Sequence, residues 1–254
     1  MLRAERQNQI VDIVNQKGIV TIEDLMKQVQ ISKATARRDI NSLSEEKRII
    51  KIRGGAQSVI ASAPYEPSLL ARSQVNADEK KRIAEEAVRH IFPEDRIILD
   101  SGTTVLEVAK LLSTFSSLTI VTNDIHIAGE VNTNTANNLI FIGGIIRKGF
   151  CSSYGFYAES MLKSLSVDKI FLSVDAIDPD LGIMSYTMDD VNLKSIGMSN
   201  AKEVFLLCDH SKFCAQALFS VGMMDKITTI ISGRELDASI AEKLRNNGKS
   251  IILV

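Results

Sequence analysis

The sequence predicts an α/β protein in two parts: a short basic head of helices closed by a β-hairpin, then a longer body in which helices alternate with β-branched strands. Three observations carry this. The chain has 254 residues, more than the roughly 100 to 150 of a typical domain. Its net charge of -1 conceals a split, because residues 1–57 hold 11 Lys and Arg against 7 Asp and Glu, and the remainder holds 19 against 24. The apolar pattern also changes after Asn76, from helical stripes alone to helical stripes alternating with short β-branched runs.

In the head, Ile10, Ile13 and Val14 share one face of a first helix, and Ile22, Leu25, Met26 and Val29 one face of a second. Lys17-Gly18 separates them. Thr21, three residues before Asp24, suits the N-cap of the second helix, and Ser32 that of a third helix running to about Lys47. Ile49 to Arg53, then Gly54-Gly55, then Ala56 to Val59 reads as strand, tight turn and strand. The head is expected to occupy residues 1–57.

Residues 58–76, with Pro64 and Pro67, are expected to be a linker, and 77–254 the body. Strands are expected at Arg96 to Leu99, Leu118 to Thr122, Leu139 to Ile142, Lys169 to Val174, Glu203 to Cys208, Ile227 to Ile231 and Ser250 to Leu253. Helices are expected at Asp78 to Ile91, Val105 to Leu112, Ile125 to Val131, Tyr157 to Leu165, Asp189 to Met198 and Ala238 to Asn246. Such alternation predicts a mostly parallel sheet covered on both faces.

The third helix contains the first functional pattern. Ala36, Ile40 and Leu43 fall within about 40° of one another and point inward, so Ala34, Arg38, Asn41 and Ser42 face away, flanked by Thr35 and Arg37. An outer face of this kind supplies donors for phosphate oxygens and for base edges in a major groove. On one helix alone these would be solvated charges. A capped second helix, short turn, capped third helix and basic hairpin together describe a winged helix-turn-helix for double-stranded DNA. The expected contacts are Ser32, Lys33, Thr35, Arg37 and Arg38 on the helix, with Lys51 and Arg53 on the wing.

In the body, the strand ending at Leu99 runs into Asp100-Ser101-Gly102-Thr103-Thr104 and then a helix. That geometry aims backbone N–H groups and the positive helix end at a sheet's carboxyl edge, where hydroxyls can also bind a phosphate. The same residues would serve as an ordinary capped turn. It is neither a Walker A loop nor a dinucleotide fingerprint. Other strand ends carry Thr122-Asn123-Asp124, Gly143-Gly144, Asp175 to Asp178 and Asp209 to Phe213 with Lys212. Ligands in open α/β sheets sit at such ends, so the candidate ligand-binding residues are Asp100, Ser101, Gly102, Thr103, Thr104, Thr122, Asn123, Gly143, Gly144, Asp175 and Lys212. Turns explain the aspartates, and solvation Lys212, equally well.

These motifs resemble the DeoR family of bacterial transcriptional regulators. In the head the resemblance rests on Arg6-Gln7-Asn8-Gln9-Ile10, Ser32-x-x-Thr35-x-Arg37-Arg38-Asp39-Ile40 and Arg53-Gly54-Gly55-Ala56. In the body it rests on Lys80-x-x-Ile83-Ala84, Asp100 to Thr104, Val121-Thr122-Asn123, Gly143-Gly144, Val167-Asp168-Lys169, Val174 to Asp178 and Asp209 to Phe213. The resemblance implies a ribose-5-phosphate isomerase-like α/β sensor domain that binds a phosphorylated sugar effector and joins copies into a homo-oligomer, dimer or tetramer. It implies a repressor of sugar uptake or catabolism genes, released from its operator by that effector. Departures are Ala36, where a larger aliphatic residue is usual, and Ala176 and Cys214, where glycine is.

The alternative is a sugar-phosphate isomerase-type enzyme, with an Asp base and a Lys moving a proton α to a carbonyl. A DNA-binding head has no role in such catalysis. RNA binding is disfavoured because the head offers no aromatic stacking platform. Cys151, Cys208 and Cys214 form no Cys-x-x-Cys pair, and His90, His126 and His210 are dispersed, so no metal and no cofactor is expected. No apolar run reaches the ~18 residues of a spanning helix and Met1 to Arg6 leads into polar residues, so a cytoplasmic protein without a membrane partner is expected.

Overall fold

A computed structural model describes residues 3–17, 19–52, 54–58, 69–133, 136–147, 150–215 and 217–254. The chain divides into two units, Met1–Ser68 and Leu69–Val254.

The first unit comprises α1 (Arg3–Lys17), β1 (Ile19–Thr21), α2 (Ile22–Val29), α3 (Lys33–Glu45), β2 (Ile49–Ile52) and β3 (Gly55–Ser58). Both expected caps form. Asp24 N donates to Thr21 Oγ1 at 3.1 Å and Thr35 N to Ser32 Oγ at 3.2 Å, each satisfying an N–H that the first helical turn leaves unpaired. Ile10, Val14, Leu25, Ala36, Ile40, Leu43 and Ile49 close a single small core.

The hairpin departs from expectation in one respect: it is a three-stranded sheet of order β1-β3-β2, in which Ile19–Thr21 pairs antiparallel with β3. Gly55 makes this possible, because a Cβ there would lie 2.1 Å from the Val20 carbonyl oxygen. Of the glycine pair only Gly54, at φ +87°, sits in the turn. Gly55 already belongs to the strand. Gly18, Arg53 and Val59 lie outside the described residues.

The second unit is built on β4 (Arg96–Leu99), β5 (Thr119–Thr122), β6 (Asn138–Phe141), β9 (Val167–Leu172), β12 (Ala201–Leu207), β14 (Thr229–Ser232) and β15 (Ser250–Leu253). They form one sheet of order β15-β14-β12-β9-β4-β5-β6, parallel throughout. Alternation along each strand sends Ile97, Leu99, Phe171, Phe205 and Ile231 under α5 (Ala77–Ala87), α6 (Thr103–Leu111) and α7 (Ile125–Val131). Their neighbours Ile98, Ile170, Leu172, Val204, Leu206 and Ile230 pack under α8 (Phe156–Lys163), α9 (Met188–Asn200) and α10 (Ala238–Asn246). Both faces are covered, so the strands read as unbroken apolar runs.

Several elements were not expected. Leu69–Gln74, inside the stretch read as linker, forms α4. A hairpin joins β7 (Ile145–Ile146) to β8 (Ser153–Tyr154), and β10 (Ala176–Asp178), β11 (Gly182–Ser185) and β13 (Phe219–Gly222) make a small antiparallel sheet. Strand bounds also shift, β9 beginning at Val167 rather than Lys169 and ending before Ser173. Pro64 and Pro67 lie outside the described residues.

The strand order decides where a ligand could sit. From β4 the chain winds outward through β5 and β6, then returns to β9 on the other side of β4 and winds away through β12, β14 and β15. The reversal falls between β4 and β9. At such a switch point the loops leave in opposite directions and open a crevice at the carboxyl ends.

Candidate functional site

In the first unit, Arg37, Arg38, Lys33 and Asn41 are exposed on α3. A groove of about 240 Å³ between α3 and the hairpin is lined by Ile22, Arg37, Ile40, Asn41, Lys51, Ile52, Gly54 and Gly55. Lys51 and Arg37 thus face one space. Asp39, on the opposite side of α3, is buried, and it accepts from Arg6 Nε at 2.6 Å, Arg6 Nη2 at 3.3 Å and Gln7 Nε2 at 3.4 Å. The Arg6-Gln7 and Asp39 parts of the sequence motif therefore clamp α3 to α1.

Other head residues are partly engaged. Lys33 pairs with Glu23 at 3.3 Å, an exposed bridge of little energetic weight. The Thr35 hydroxyl lies 2.9 Å from Ser32 Oγ. Ser42 corrects the sequence reading: it is half-buried, accepts from Arg3 Nη2 at 3.0 Å and donates to Glu46 at 3.0 Å, so it braces α1 rather than facing outward. Arg53 lies outside the described residues.

In the second unit the carboxyl ends of β4 and β9 are joined by a buried ion pair. Lys194 of α9 reaches Asp100 Oδ2 at 2.5 Å and donates to the Ser173 carbonyl at 2.9 Å, and Ser173 N donates to Asp100 Oδ2 at 3.0 Å. Burial pushes the Asp100 carboxyl up, against the pull of Lys194. Burial also opposes charge on Lys194, but Asp100 and Asp190 hold its ammonium above the usual range. Gly102 is held close to the same strand end, since a Cβ there would meet Ser173 Oγ at 2.3 Å.

A polar chain continues from this pair. Asp190 lies 3.5 Å from Lys194 and accepts from Ser185 Oγ at 2.7 Å, and Ser185 Oγ is also 3.0 Å from Asp175 Oδ2. Asp175 further accepts from Tyr186 N at 3.1 Å and pairs with Arg72 of α4 at 3.7 Å. The Arg72 carbonyl in turn accepts from Lys80 Nζ at 2.5 Å, and the Val75 carbonyl at 2.7 Å. Burial lowers the Lys80 ammonium to about 8; Asp209 supports its charge, and Lys212 and Arg72 oppose it. Lys80 thus feels the charge of both Arg72 and Lys212. The ammonium of the half-buried Lys212 makes no hydrogen bond or ion pair among the described residues, and its charge acts on the Asp209 carboxylate.

Of the expected ligand residues, Ser101, Gly102, Thr103 and Thr104 open α6 at the switch point. Gly102 is its N-cap and no side chain caps its first turn, whereas Thr21, Ser32, Asp124, Thr187 and Asp237 cap α2, α3, α7, α9 and α10. The first N–H groups of α6 are thus uncapped by a side chain, as are those of α5 and α8. Thr122 is buried and accepts from Asp124 N at 3.1 Å, and Asn123 donates to the Ser153 carbonyl at 3.0 Å. Gly144 lies against β8, where a Cβ would come within 2.6 Å of the Tyr154 carbonyl oxygen. Asp100, Thr122, Asn123 and Asp175 therefore spend hydrogen bonds on shaping the strand ends.

Arg72, Lys80, Ser185, Asp190 and Lys194 were not nominated from the sequence. A lysine or arginine on an amphipathic helix reads as solvated, and the carboxylates that Arg72 and Lys194 meet, Asp175 and Asp100, lie far along the chain. Glu79, Asp209 and His210 bring ligand-type atoms within 4.8 Å of one another. One oxygen of each carboxylate is already engaged: Glu79 Oε1 accepts from His210 N at 2.8 Å and Gly233 N at 3.2 Å, and Asp209 Oδ1 from Asn76 at 2.8 Å and Ser211 N at 3.1 Å, while Glu79 Oε2 lies 2.7 Å from His210 Nδ1.

Comparison with known proteins agrees in both units. Residues 6–61 match the DeoR-like helix-turn-helix domain and residues 75–234 the DeoR C terminal sensor domain. The chain is 31% identical over 238 residues to the HTH-type transcriptional regulator IolR of Bacillus subtilis, covering 93% of each chain. It is 29% identical to the HTH-type transcriptional repressor CsqR of Escherichia coli, over 98% of this chain and 94% of that one. It is 28% identical to the glycerol-3-phosphate regulon repressor of Escherichia coli, over 97% of each. Among solved structures, a ribose 5-phosphate isomerase from Plasmodium falciparum superposes with a TM-score of 0.41 at 16% identity, covering 56% of this chain and 55% of that one.

Proposed function

The chain belongs to the DeoR family of DNA-binding transcriptional regulators, and from that premise we propose that it represses genes of sugar uptake or catabolism and is released from its operator by a phosphorylated sugar metabolite. An isomerase-type enzyme is set aside, because both halves of the chain match domains of regulators. Exposed Arg37 and Arg38, with Lys51 across the groove, are assigned to the duplex. A lone winged helix reads few base pairs, so two copies are needed at paired half-sites. No helix among the described residues is long and apolar enough to cross a membrane.

The effector site is assigned to the crevice between β4 and β9. The observation that carries it is the start of α6, with no side-chain cap, at the point where the strand order reverses, with Arg72 and Lys80 on helices α4 and α5 that pack against α6 and Lys212 close enough to act on the charge of Lys80. A phosphate dianion needs several donors to replace its lost water, and this set supplies both N–H groups and cations. Repression agrees with the names of two relatives, one for the glycerol-3-phosphate regulon.

Calorimetry and operator-binding titrations of the full chain over a panel of sugar phosphates test this reading. At least one is expected to bind and to weaken operator affinity, with its unphosphorylated sugar nearly inert. A panel in which phosphorylation changes nothing overturns the effector assignment. Failure to bind any duplex with repeated half-sites overturns the regulator reading itself.

A further inference from the structure

Arg72 belongs to none of the strand-end loops, yet its guanidinium lies over the carboxyl end of β4. It pairs with Asp175, just past β9, at 3.7 Å, and its charge acts on the buried Asp124 carboxylate, just past β5. In the sheet, β4 runs between β9 and β5. A group that reaches both of their ends spans the one between them, where α6 starts, and α4 packs against α6. Phe150, whose ring centroid is 5.6 Å from Arg72 Cζ, closes another side.

α4 is also the helix through which the chain enters the second unit. Ser68 ends the first unit, and Leu69 begins both the second unit and α4. The carboxyl end of α4 is anchored twice. Lys80 Nζ donates to the Arg72 and Val75 carbonyls at 2.5 and 2.7 Å, and Asn76, which follows at φ +53°, donates to Asp209 Oδ1 at 2.8 Å. Held there, the helix can turn about that end, and the pair of Arg72 with Asp175 ties its side to the crevice.

We propose that Arg72 is a positioning residue that carries effector occupancy to the head. Without effector it ties α4 to Asp175. A phosphate at the start of α6 takes the guanidinium from Asp175, and α4 turns with it, shifting the point from which the chain runs back to the DNA-binding unit. This rests on the reading of the crevice as the effector site and adds the route by which that site acts.

The exchange strands no buried charge. At 3.7 Å the pair is longer than a direct hydrogen bond, whereas a phosphate accepts two parallel N–H bonds from one guanidinium. A dianion also attracts the guanidinium more strongly than a single carboxylate does. Asp175 keeps partners when Arg72 leaves, because Ser185 Oγ at 3.0 Å and Tyr186 N at 3.1 Å donate to its other oxygen.

Operator binding without any effector tests the proposal, on a duplex that the full chain itself selects from a random pool. Arg72→Gln and Asp175→Asn each cut the tie, and the asparagine keeps an oxygen to accept from Ser185 and Tyr186. In samples that still melt cooperatively, each is expected to weaken operator affinity at least about fivefold, the lower end of allosteric coupling. Arg72→Lys, which keeps the charge, is expected to bind like the parent. Unchanged affinity in Arg72→Gln or Asp175→Asn overturns the proposal, as does an equal loss in all three variants, which marks packing rather than charge. If a variant fails to fold, or no duplex is selected, hydrogen exchange of the parent decides. Millimolar inorganic phosphate, against chloride at equal ionic strength, is expected to protect amides 102–106 and to expose amides 69–76. Protection at 102–106 with 69–76 unchanged overturns the proposal and leaves the effector site standing, whereas no response in either segment overturns both.

Discussion

The ammonium of Lys194 lies 2.5 Å from Asp100 Oδ2, with both side chains nearly inaccessible to water. Removing one partner of such a pair strands a buried charge. Lys194→Met is therefore expected to destabilise the protein by about 3–5 kcal/mol in denaturant unfolding. Adding Asp100→Leu to it is expected to recover much of that loss. A loss below about 1 kcal/mol in the single variant would show that the pair is not holding β4, β9 and α9 together.

Arg38→Ala is expected to cost about 1–3 kcal/mol of operator affinity, concentrated at one position of the site. Lys51→Ala should instead weaken all sequences alike and lower the salt slope by roughly one phosphate. Mobility-shift titrations at several salt concentrations separate the two. Unchanged affinity after combined replacement of Thr35, Arg37 and Arg38 by alanine would remove α3 as the reading helix.

Thr103→Val and Lys212→Ala are expected to retain operator binding while losing release by a sugar phosphate. Coupling is reciprocal, so an effector that weakens DNA binding tenfold, about 1.4 kcal/mol, is itself bound tenfold more weakly by the DNA-bound form. If an effective sugar phosphate releases both variants at the parent's concentration, the crevice between β4 and β9 is not the effector site.

Asp168 tests the electrostatics of the opposite sheet edge. Its carboxylate accepts from Arg96 N and Nε at 3.0 Å, Arg96 Nη2 at 3.0 Å and Lys202 Nζ at 2.8 Å, which holds its pKa well below the usual carboxylate range. A carboxylate with a depressed folded-state pKa stabilises the fold above its unfolded pKa and loses that contribution as pH falls toward the folded value. Asp168→Asn should therefore cost roughly 1 kcal/mol at neutral pH, a modest figure because both cations are well exposed. Melting curves should show the difference shrinking below about pH 4. A difference that stays constant down to pH 2 contradicts the assignment.

Signals that act over a few residues were legible in the sequence. Thr21 and Ser32 cap their helices because the hydroxyl and the N–H it accepts from are three residues apart. Strands 96–99 and 250–253 and helices 125–131 and 238–246 run between their expected bounds, since apolar periodicity and flanking polar residues define both ends locally. The glycine and hydroxyl residues after β4 likewise announced the turn into α6.

What only the tertiary structure decided depends on residues distant along the chain. β1 needed the edge of β3 and the absent side chain of Gly55; alone, Ile19–Thr21 reads as a spacer between helices. The β7–β8 strands are two residues each, too short to show a period. Lys194 has no local mark of burial, because the carboxylate that compensates its charge lies 94 residues earlier, across a sheet. Nor could the sequence show that Asp100 and Asp175 turn inward to shape the crevice, while the Lys212 ammonium makes no hydrogen bond or ion pair among the described residues. Caps and periodicity are properties of adjacent residues, whereas the desolvation and pairing of charge are set by whichever strand ends the winding of the sheet brings together.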